Sequence, residues 1–313
     1  DRSLSLSTDG HRLAFETVTE RTRIWSLPIS PLTGKVEGTG RPVTPGAAGE
    51  FDVAVSQDEQ RLVYRTTMDG RQELWQVSLA DGHSRRLLSD PAGVRSAPRW
   101  SPDGASLTYL ISARPSGANG PARPPALAII STSGGPERIL AASNTSELIP
   151  DDWSADGKSI LGACRLQDTG RYGVCLVPTA STGAPQLLVS DPDRSLRNAR
   201  FSPNQQWITF TANAGNSSTS TVYVRRTVGG PMIAMTDGNA FEDKAHWSPD
   251  GRTLYFVSNR GGFLNISGRR FDSATGQPVG DVFQATAFDG IRRGLATDLS
   301  VVDVAVTNTQ LFI

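Results

Sequence analysis

Six times along the chain an apolar residue is followed by a short polar phrase, Ser-x-Asp-Gly or a near relative, and then by a second apolar run. The phrases are Ser7-Thr8-Asp9-Gly10, Ser56-Gln57-Asp58-Glu59, Ser101-Pro102-Asp103-Gly104, Ser154-Ala155-Asp156-Gly157, Ser202-Pro203-Asn204-Gln205 and Ser248-Pro249-Asp250-Gly251. The residue before each serine is apolar: Leu6, Val55, Trp100, Trp153, Phe201 and Trp247. Each phrase reads as a tight hairpin, because Pro presets φ, Asp bonds its own local backbone and Gly accepts positive φ. The outgoing strand follows at once, as in Leu62-Val63-Tyr64 or Leu254-Tyr255-Phe256. A third β-rich run appears in every repeat, at 24–29, 74–79, 127–132, 173–178, 221–227 and 264–271. A Gly turn and a short fourth strand close each unit, as at 85–89 and 232–236. No long run carries the 3.6-residue apolar period of a helix.

The serines are 45–53 residues apart. A period of that length, with four short strands per period, predicts an all-β fold: a β-propeller of four-stranded antiparallel blades. A seventh unit begins at Val304-Ala305-Val306-Thr307 and stops at Leu311-Phe312-Ile313. Either a seventh blade is half present or this terminal hairpin pads a six-bladed ring. Seven blades with the last incomplete is the favoured reading, and six the alternative. The expected organisation is one domain over 1–313, with blades near 1–48, 49–93, 94–146, 147–194, 195–240, 241–298 and 299–313. An open ring would leave sheet edges exposed, so a closure device is expected.

The wording of the repeats resembles the TolB-type, WD-repeat-like propeller family, the PD propeller repeats. Trp100-Ser101-Pro102-Asp103-Gly104 and Trp247-Ser248-Pro249-Asp250-Gly251 match its hallmark. The continuation Leu254-Tyr255-Phe256-Val257-Ser258-Asn259-Arg260-Gly261-Gly262-Phe263 is similar to the family's second strand and its Gly turn. Repeats two and five depart from it, with Glu59 and Gln205 in place of Gly, and their turns are expected to be altered. The resemblance implies a central channel. It also implies a role in protein binding, periplasmic assembly, bacterial sensing, or gating of prolyl-oligopeptidase-like enzymes, without choosing among them.

Composition narrows the function. Lys plus Arg and Asp plus Glu balance at 31 each, so nothing electrostatic points to nucleic acid or an anionic membrane. No apolar stretch approaches the ~20 residues of a membrane span. The chain begins at Asp1 in a strand approach, which reads as a mature or excised domain. Cys164 and Cys175 flank a hairpin that, folded about Thr169-Gly170, sets them directly opposite one another. A disulfide is predicted there, with two unlinked core thiols as the alternative, and the bond would place the chain outside the cytoplasm.

Catalytic chemistry is sparse. There are three histidines, His11, His83 and His246, and no Gly-x-Ser-x-Gly elbow. The first two fall in turns and are expected at the surface; only His246 is placed to face a channel. No His/Cys spacing suggests zinc, and no Gly loop cradles phosphate. A metal-dependent propeller lyase would need several channel histidines, so no cofactor or metal is expected.

One polar pattern remains. Counting back from each Ser or Thr, position −2 reads Ser5, Ala54, Arg99, Asp152, Arg200, His246 and Ala305; position −4 reads Ser3, Asp52, Ala97, Pro150, Asn198, Lys244 and Asp303. With period-two alternation these share one strand face. Asp52, Arg99, Asp152, Arg200, Lys244 and His246 are therefore the candidate ligand residues of a channel mouth. The alternative is a water-filled channel whose charges pair across it. A second candidate surface is the set of long loops at 112–126, 191–197, 237–242 and 289–298, with Arg260, Arg292 and Arg293 as anion anchors. The resulting expectation is a non-enzymatic module for a protein, peptide or small ligand. An accessory propeller of a serine peptidase and a lyase or lactonase with a channel metal are the rivals.

Overall fold

A computed structural model describes residues 4–15, 22–46, 49–68, 71–89, 94–112, 125–142, 148–180, 184–215, 217–289, 294–295 and 302–313. Its strands are β1 (Leu4–Leu6), β2 (Leu13–Phe15), β3 (Trp25–Pro28), β4 (Arg41–Pro42), β5 (Gly49–Val55), β6 (Arg61–Met68), β7 (Arg71–Ser78), β8 (Ser84–Ser89), β9 (Arg95–Trp100), β10 (Ser106–Ile111), β11 (Ala126–Ser131), β12 (Arg138–Ala142) and β13 (Leu148–Trp153). They continue with β14 (Ser159–Arg165), β15 (Tyr172–Pro178), β16 (Gln186–Val189), β17 (Ser195–Phe201), β18 (Trp207–Asn213), β19 (Thr221–Arg226), β20 (Ile233–Ala234), β21 (Glu242–Trp247), β22 (Thr253–Ser258), β23 (Asn265–Asp272), β24 (Gln277–Gln284), β25 (Ala305–Val306) and β26 (Gln310–Phe312). No helix occurs among the described residues, so none is long and apolar enough to cross a membrane.

The strands form six four-stranded antiparallel blades in a ring. Five are simple meanders: β5–β8, β9–β12, β13–β16, β17–β20 and β21–β24, the first to fifth blades. The sixth is composite, in the order β25-β26-β3-β4. The ring is therefore the six-bladed alternative and not the favoured seven. The terminal hairpin is not the start of a further blade; it supplies the two inner strands of the blade whose outer strands come from near the N-terminus. Trp25 N donates to Ile313 O (2.8 Å) and Ile29 N to Thr309 O (2.9 Å), joining the two ends of the chain. Closure in this way removes the sheet edges that an open ring would expose. The first repeat's own inner hairpin, β1–β2, is left as a separate two-stranded sheet.

The repeated turn is built from local bonds. In the second blade, Ser101 Oγ donates to Asp103 Oδ1 (2.6 Å) and accepts from Ser106 N (2.9 Å), while Ala105 N donates to the same carboxylate oxygen (2.9 Å). Asn204 replaces Asp in the fourth blade and serves equally. Glu59 and Gln205 do not alter their turns. They adopt φ of +56° and +59°, and each N–H reaches back to its serine carbonyl at 2.8 Å, as Gly104 does at 2.9 Å.

Apolar side chains fill the wedges between blades. Val63 and Leu74 pack on Trp100 and Leu107; Leu127 and Leu140 on Trp153 and Ile160; Leu161 and Val174 on Phe201 and Phe210. Val222 and Trp207 meet Trp247 and Phe256; Tyr255 and Ile266 meet Leu311; Ile24 and Phe312 meet Leu62 and Val77. In the three repeats where the residue before the serine is tryptophan, it also ties its blade to a neighbouring inner strand. Trp100 Nε1 donates to Ala54 O (3.0 Å), Trp153 Nε1 to Arg99 O (3.2 Å) and Trp247 Nε1 to Arg200 O (3.3 Å). A buried indole N–H needs such a partner, and here the partner is the backbone of a residue on the channel face.

Cys164 and Cys175 are bonded, with a Cα–Cα distance of 6.0 Å, and no free cysteine remains. The register differs from the expected one: Cys164 lies opposite Gly173 and Cys175 opposite Gly162. The turn is a four-residue loop in which Leu166 N donates to Arg171 O and Gly170 N to Leu166 O. A two-residue turn of the favoured hairpin type would ask Thr169, a β-branched residue, for positive φ. The longer loop needs it only at Gly170 (φ +66°). The cysteines thus meet diagonally on one strand face.

Candidate functional site

The inner strands do not alternate cleanly. Register shifts interrupt their pairing at Phe51/Ala54, Ser96/Arg99, Pro150/Asp152, Arg197/Arg200 and Asp243/His246. Four residues of the −4 set, Asp52, Ala97, Asn198 and Lys244, sit in these bulges with φ between +51° and +57°. A bulge re-aims the chain, so a period-two count across it fails. The −2 residues beyond the bulge keep their common direction.

Arg99, Arg200 and His246 converge on Asp303, two residues before the start of β25. Arg99 Nη2 is 3.1 Å from Asp303 Oδ2; His246 Nε2 and Arg200 Nη2 are 3.6 and 3.9 Å from Oδ1. Arg200 Nε donates to His246 Nε2 at 3.2 Å, so the imidazole lone pair is already engaged. Arg99 is fixed further by bonds to Asp151 O (2.8 Å) and Pro98 O (2.9 Å). Lys244 Nζ donates to Val302 O, beside Asp303. Within this cluster, Arg200 Nη1 is buried and has no hydrogen-bond partner among the described residues, a state it shares elsewhere with atoms such as Arg171 Nε and Arg269 Nε.

The acids of the third blade hold backbone. Asp151 Oδ2 accepts from Ala199 N (3.0 Å), and Asp152 accepts from Phe201 N and Trp153 N (both 2.9 Å). Asp52 does the same at another junction. It pairs with Arg65 Nε (2.7 Å), accepts from Ala97 N (3.2 Å) and takes no part in the Asp303 cluster. Of the six candidates, the structure brings together Arg99, Arg200 and His246, with Asp152 and Lys244 adjoining. Asp303 and Asp151 were not among them. Asp303 stood in the −4 row, but its repeat read as a fragment; Asp151 occupies the odd position that a bulge exposes.

Low dielectric dominates the electrostatics. Burial, with the charge of Arg200 beside it, pushes His246 down to about 4, so it is neutral at pH 7. Burial pushes Asp151 up to about 6 against the pull of Arg200, and raises Asp152 likewise. Burial also acts to raise Asp303, but Arg99, His246, Lys244 and Arg200 together hold it well below the usual carboxylate range. Arg200 is lowered by burial and by the like charge of Arg99. A neutral imidazole whose acceptor atom is occupied is a poor general base. The cluster is instead built to hold an anion, and Asp303 is the anion it holds.

Arg260 is paired, its fork engaging Asp237 (Nη1–Oδ2 3.1 Å) and Glu242 (Nη2–Oε1 2.8 Å). Arg292, Arg293 and most of the loops 112–126 and 289–298 lie outside the described residues. His11 and His83 are exposed, as expected. Among the described residues no three His, Cys, Asp or Glu side chains are grouped to hold a metal ion.

No protein-family model matches the chain. Solved structures do. A protein described as a putative TolB from Agrobacterium tumefaciens superposes with a TM-score of 0.66 at 19% identity, covering 86% of this chain and 90% of that one. TolB from Acinetobacter baumannii gives 0.62 at 17% identity, covering 84% of this chain and 66% of its own. An oligogalacturonate lyase in complex with manganese gives 0.58 at 13% identity, covering 87% and 78%. The chain is therefore similar in fold to TolB-like β-propellers. At these identities the likeness is one of fold.

Proposed function

We propose that this chain is a binding module rather than an enzyme, the exported sensing or scaffolding part of a bacterial protein. Its ligand is an acidic group of a protein or peptide partner, taken at the channel mouth. The observation that carries this reading is the buried, partnerless Nη1 of Arg200 beside the Arg99–Asp303 pair. A buried charge-bearing donor without a partner is costly, and a carboxylate is the chemistry that satisfies a guanidinium fork. Export is supported by the Cys164–Cys175 bond, since such bonds persist in oxidising compartments.

The test is fluorescence anisotropy with labelled hexaglutamate and, as control, labelled hexalysine. Hexaglutamate binds and hexalysine does not; Arg200→Gln weakens binding at least about tenfold, the order of one charge-assisted hydrogen bond. Equal binding of the two peptides, or an Arg200→Gln affinity equal to wild type, removes the reading.

A further inference from the structure

The chain carries seven inner hairpins and the ring has six places for them. The surplus one is β1–β2. Its turn is complete: Gly10 N donates to Ser7 O (2.9 Å), His11 N to Asp9 Oδ1 (3.0 Å), and Arg12 N to Ser7 Oγ (2.9 Å). These are the bonds of the blade turns. Its strands pair only with each other. Leu6 and Leu13 are 64% and 58% exposed. The residues in Leu6's position elsewhere include Trp100, Trp153, Phe201 and Trp247, and those in Leu13's are Leu62, Leu107, Ile160, Ile208 and Leu254, all buried. An inner hairpin has been made and left out of a blade.

The place it would take is identifiable. β1–β2 precedes β3 in the chain, and in the five meander blades the inner hairpin precedes the third strand in the same way. In the sixth blade that place holds residues 304–313, with Leu311 opposite Leu27 and Phe312 opposite Ser26. Aligning Ser7 with Thr307 by the N–H each hydroxyl accepts, from Arg12 and from Gln310, puts Leu13 where Leu311 is and Ala14 where Phe312 is. Nine residues separate Phe15 from Trp25; the corresponding connections in other blades run from two to fourteen. The chain between the two segments is therefore long enough. So short a tether holds the spare hairpin at roughly millimolar effective concentration.

We propose that β1–β2 is an alternative inner hairpin for the sixth blade, exchanging with residues 304–313. The two hairpins compete for the inner edge of β3. Asp303 is joined directly to the hairpin that leaves, so the exchange takes it out of the channel, and the sequence aligns Ser3 with it. Arg99, Arg200 and His246 then lose their acidic partner, and the channel gains net positive charge. This concerns the closure of the ring and does not depend on what the channel binds.

The full chain tests it, with Ala14→Cys and Ser26→Cys as a reporter pair that is opposed only after exchange. Leu311→Asp should leave the protein folded with a lowered melting midpoint, and the reporter pair should crosslink nearly completely. Leu13→Asp alone should leave the midpoint unchanged. The combination of Leu13→Asp with Leu311→Asp should unfold the protein, a loss far beyond the sum of the two. Leu254→Asp, at the same position in a blade with no spare hairpin, is the reference for a core leucine that cannot be replaced. The proposal is overturned if Leu311→Asp unfolds the chain as fully as Leu254→Asp. It is overturned equally if Leu311→Asp folds without the crosslink, or if adding Leu13→Asp to it changes nothing.

Discussion

Glu59 reaches from the turn of the first blade to the last turn of the chain, where its Oε1 accepts from both the backbone N–H (3.1 Å) and the side-chain Nδ2 (2.9 Å) of Asn308. Gln205 makes the matching contact in the fourth blade, accepting from Ala155 N at 3.0 Å. Both stand where the other repeats have Gly, and both hold positive φ. Each position exchanges an unstrained backbone for a bond to the neighbouring blade.

That exchange orders the wild type and two variants. Glu59→Ala keeps the strained φ and loses the bonds, so it should cost about 1–2 kcal/mol. Glu59→Gly loses the bonds but relieves the strain, and should be more stable than the alanine variant by about 1 kcal/mol. Urea denaturation measures all three. An alanine variant as stable as the glycine variant would contradict the account.

Two channel groups give opposite pH dependence. The unfolded chain protonates its His246 near the ordinary 6.5, while the folded one waits until about 4. The stability this group contributes is full above 6.5 and lost as pH falls towards 4. Asp151, raised from 3.8 to about 6, does the reverse: the folded state holds its proton longer, so stability falls as pH rises from 3.8 to 6. Relative to wild type, Asp151→Asn should gain stability as pH rises from 4 to 6, and His246→Gln should lose it. Urea midpoints across pH 4–7 check this; difference slopes of the same sign would refute it.

Gly162 faces the bulge at Pro150, and a Cβ there would lie 2.4 Å from Ile149 O. The obstacle is backbone on a buried strand and cannot swing aside. Gly162→Ala should cost about 2–3 kcal/mol, the scale of overpacking in a close-packed interior. Gly157→Ala has room for its Cβ and should cost only about 1–2 kcal/mol for its φ of +69°. Thermal melting of the two variants should rank them in that order.

The Cys164–Cys175 bond closes a short loop, with a sequence separation of 11. Paired replacement by Ala should lower stability by about 2–3 kcal/mol and leave the ring folded. Thiol titration of the denatured, unreduced wild-type protein should find no free thiol. Two thiols per chain would remove the bond and the argument for export together.

Much of the architecture was written locally. Ser101, Asp103 and Gly104 satisfy one another within a few residues, so a reader of the sequence meets the whole turn at once. The apolar runs before and after such turns declare strands in the same way. The pairing of Cys164 with Cys175 was legible for that reason, and its register was not, because it hangs on the conformation of the intervening turn.

Tertiary structure decided what no single repeat contains. Leu4-Ser5-Leu6 and Val304-Ala305-Val306 have the same pattern; only the geometry of a closed ring assigns the inner edge of β3 to one of them, and with it the number of blades. The channel followed the same logic. Arg99, Arg200 and His246 could be placed on one face by counting from their serines. Asp303 acquires its role because closure carries the end of the chain into a circle of residues begun some two hundred positions earlier. Asp52 fell outside that circle because its carboxylate is taken up by Arg65 and by the backbone N–H of Ala97, a choice made where the first blade meets the second.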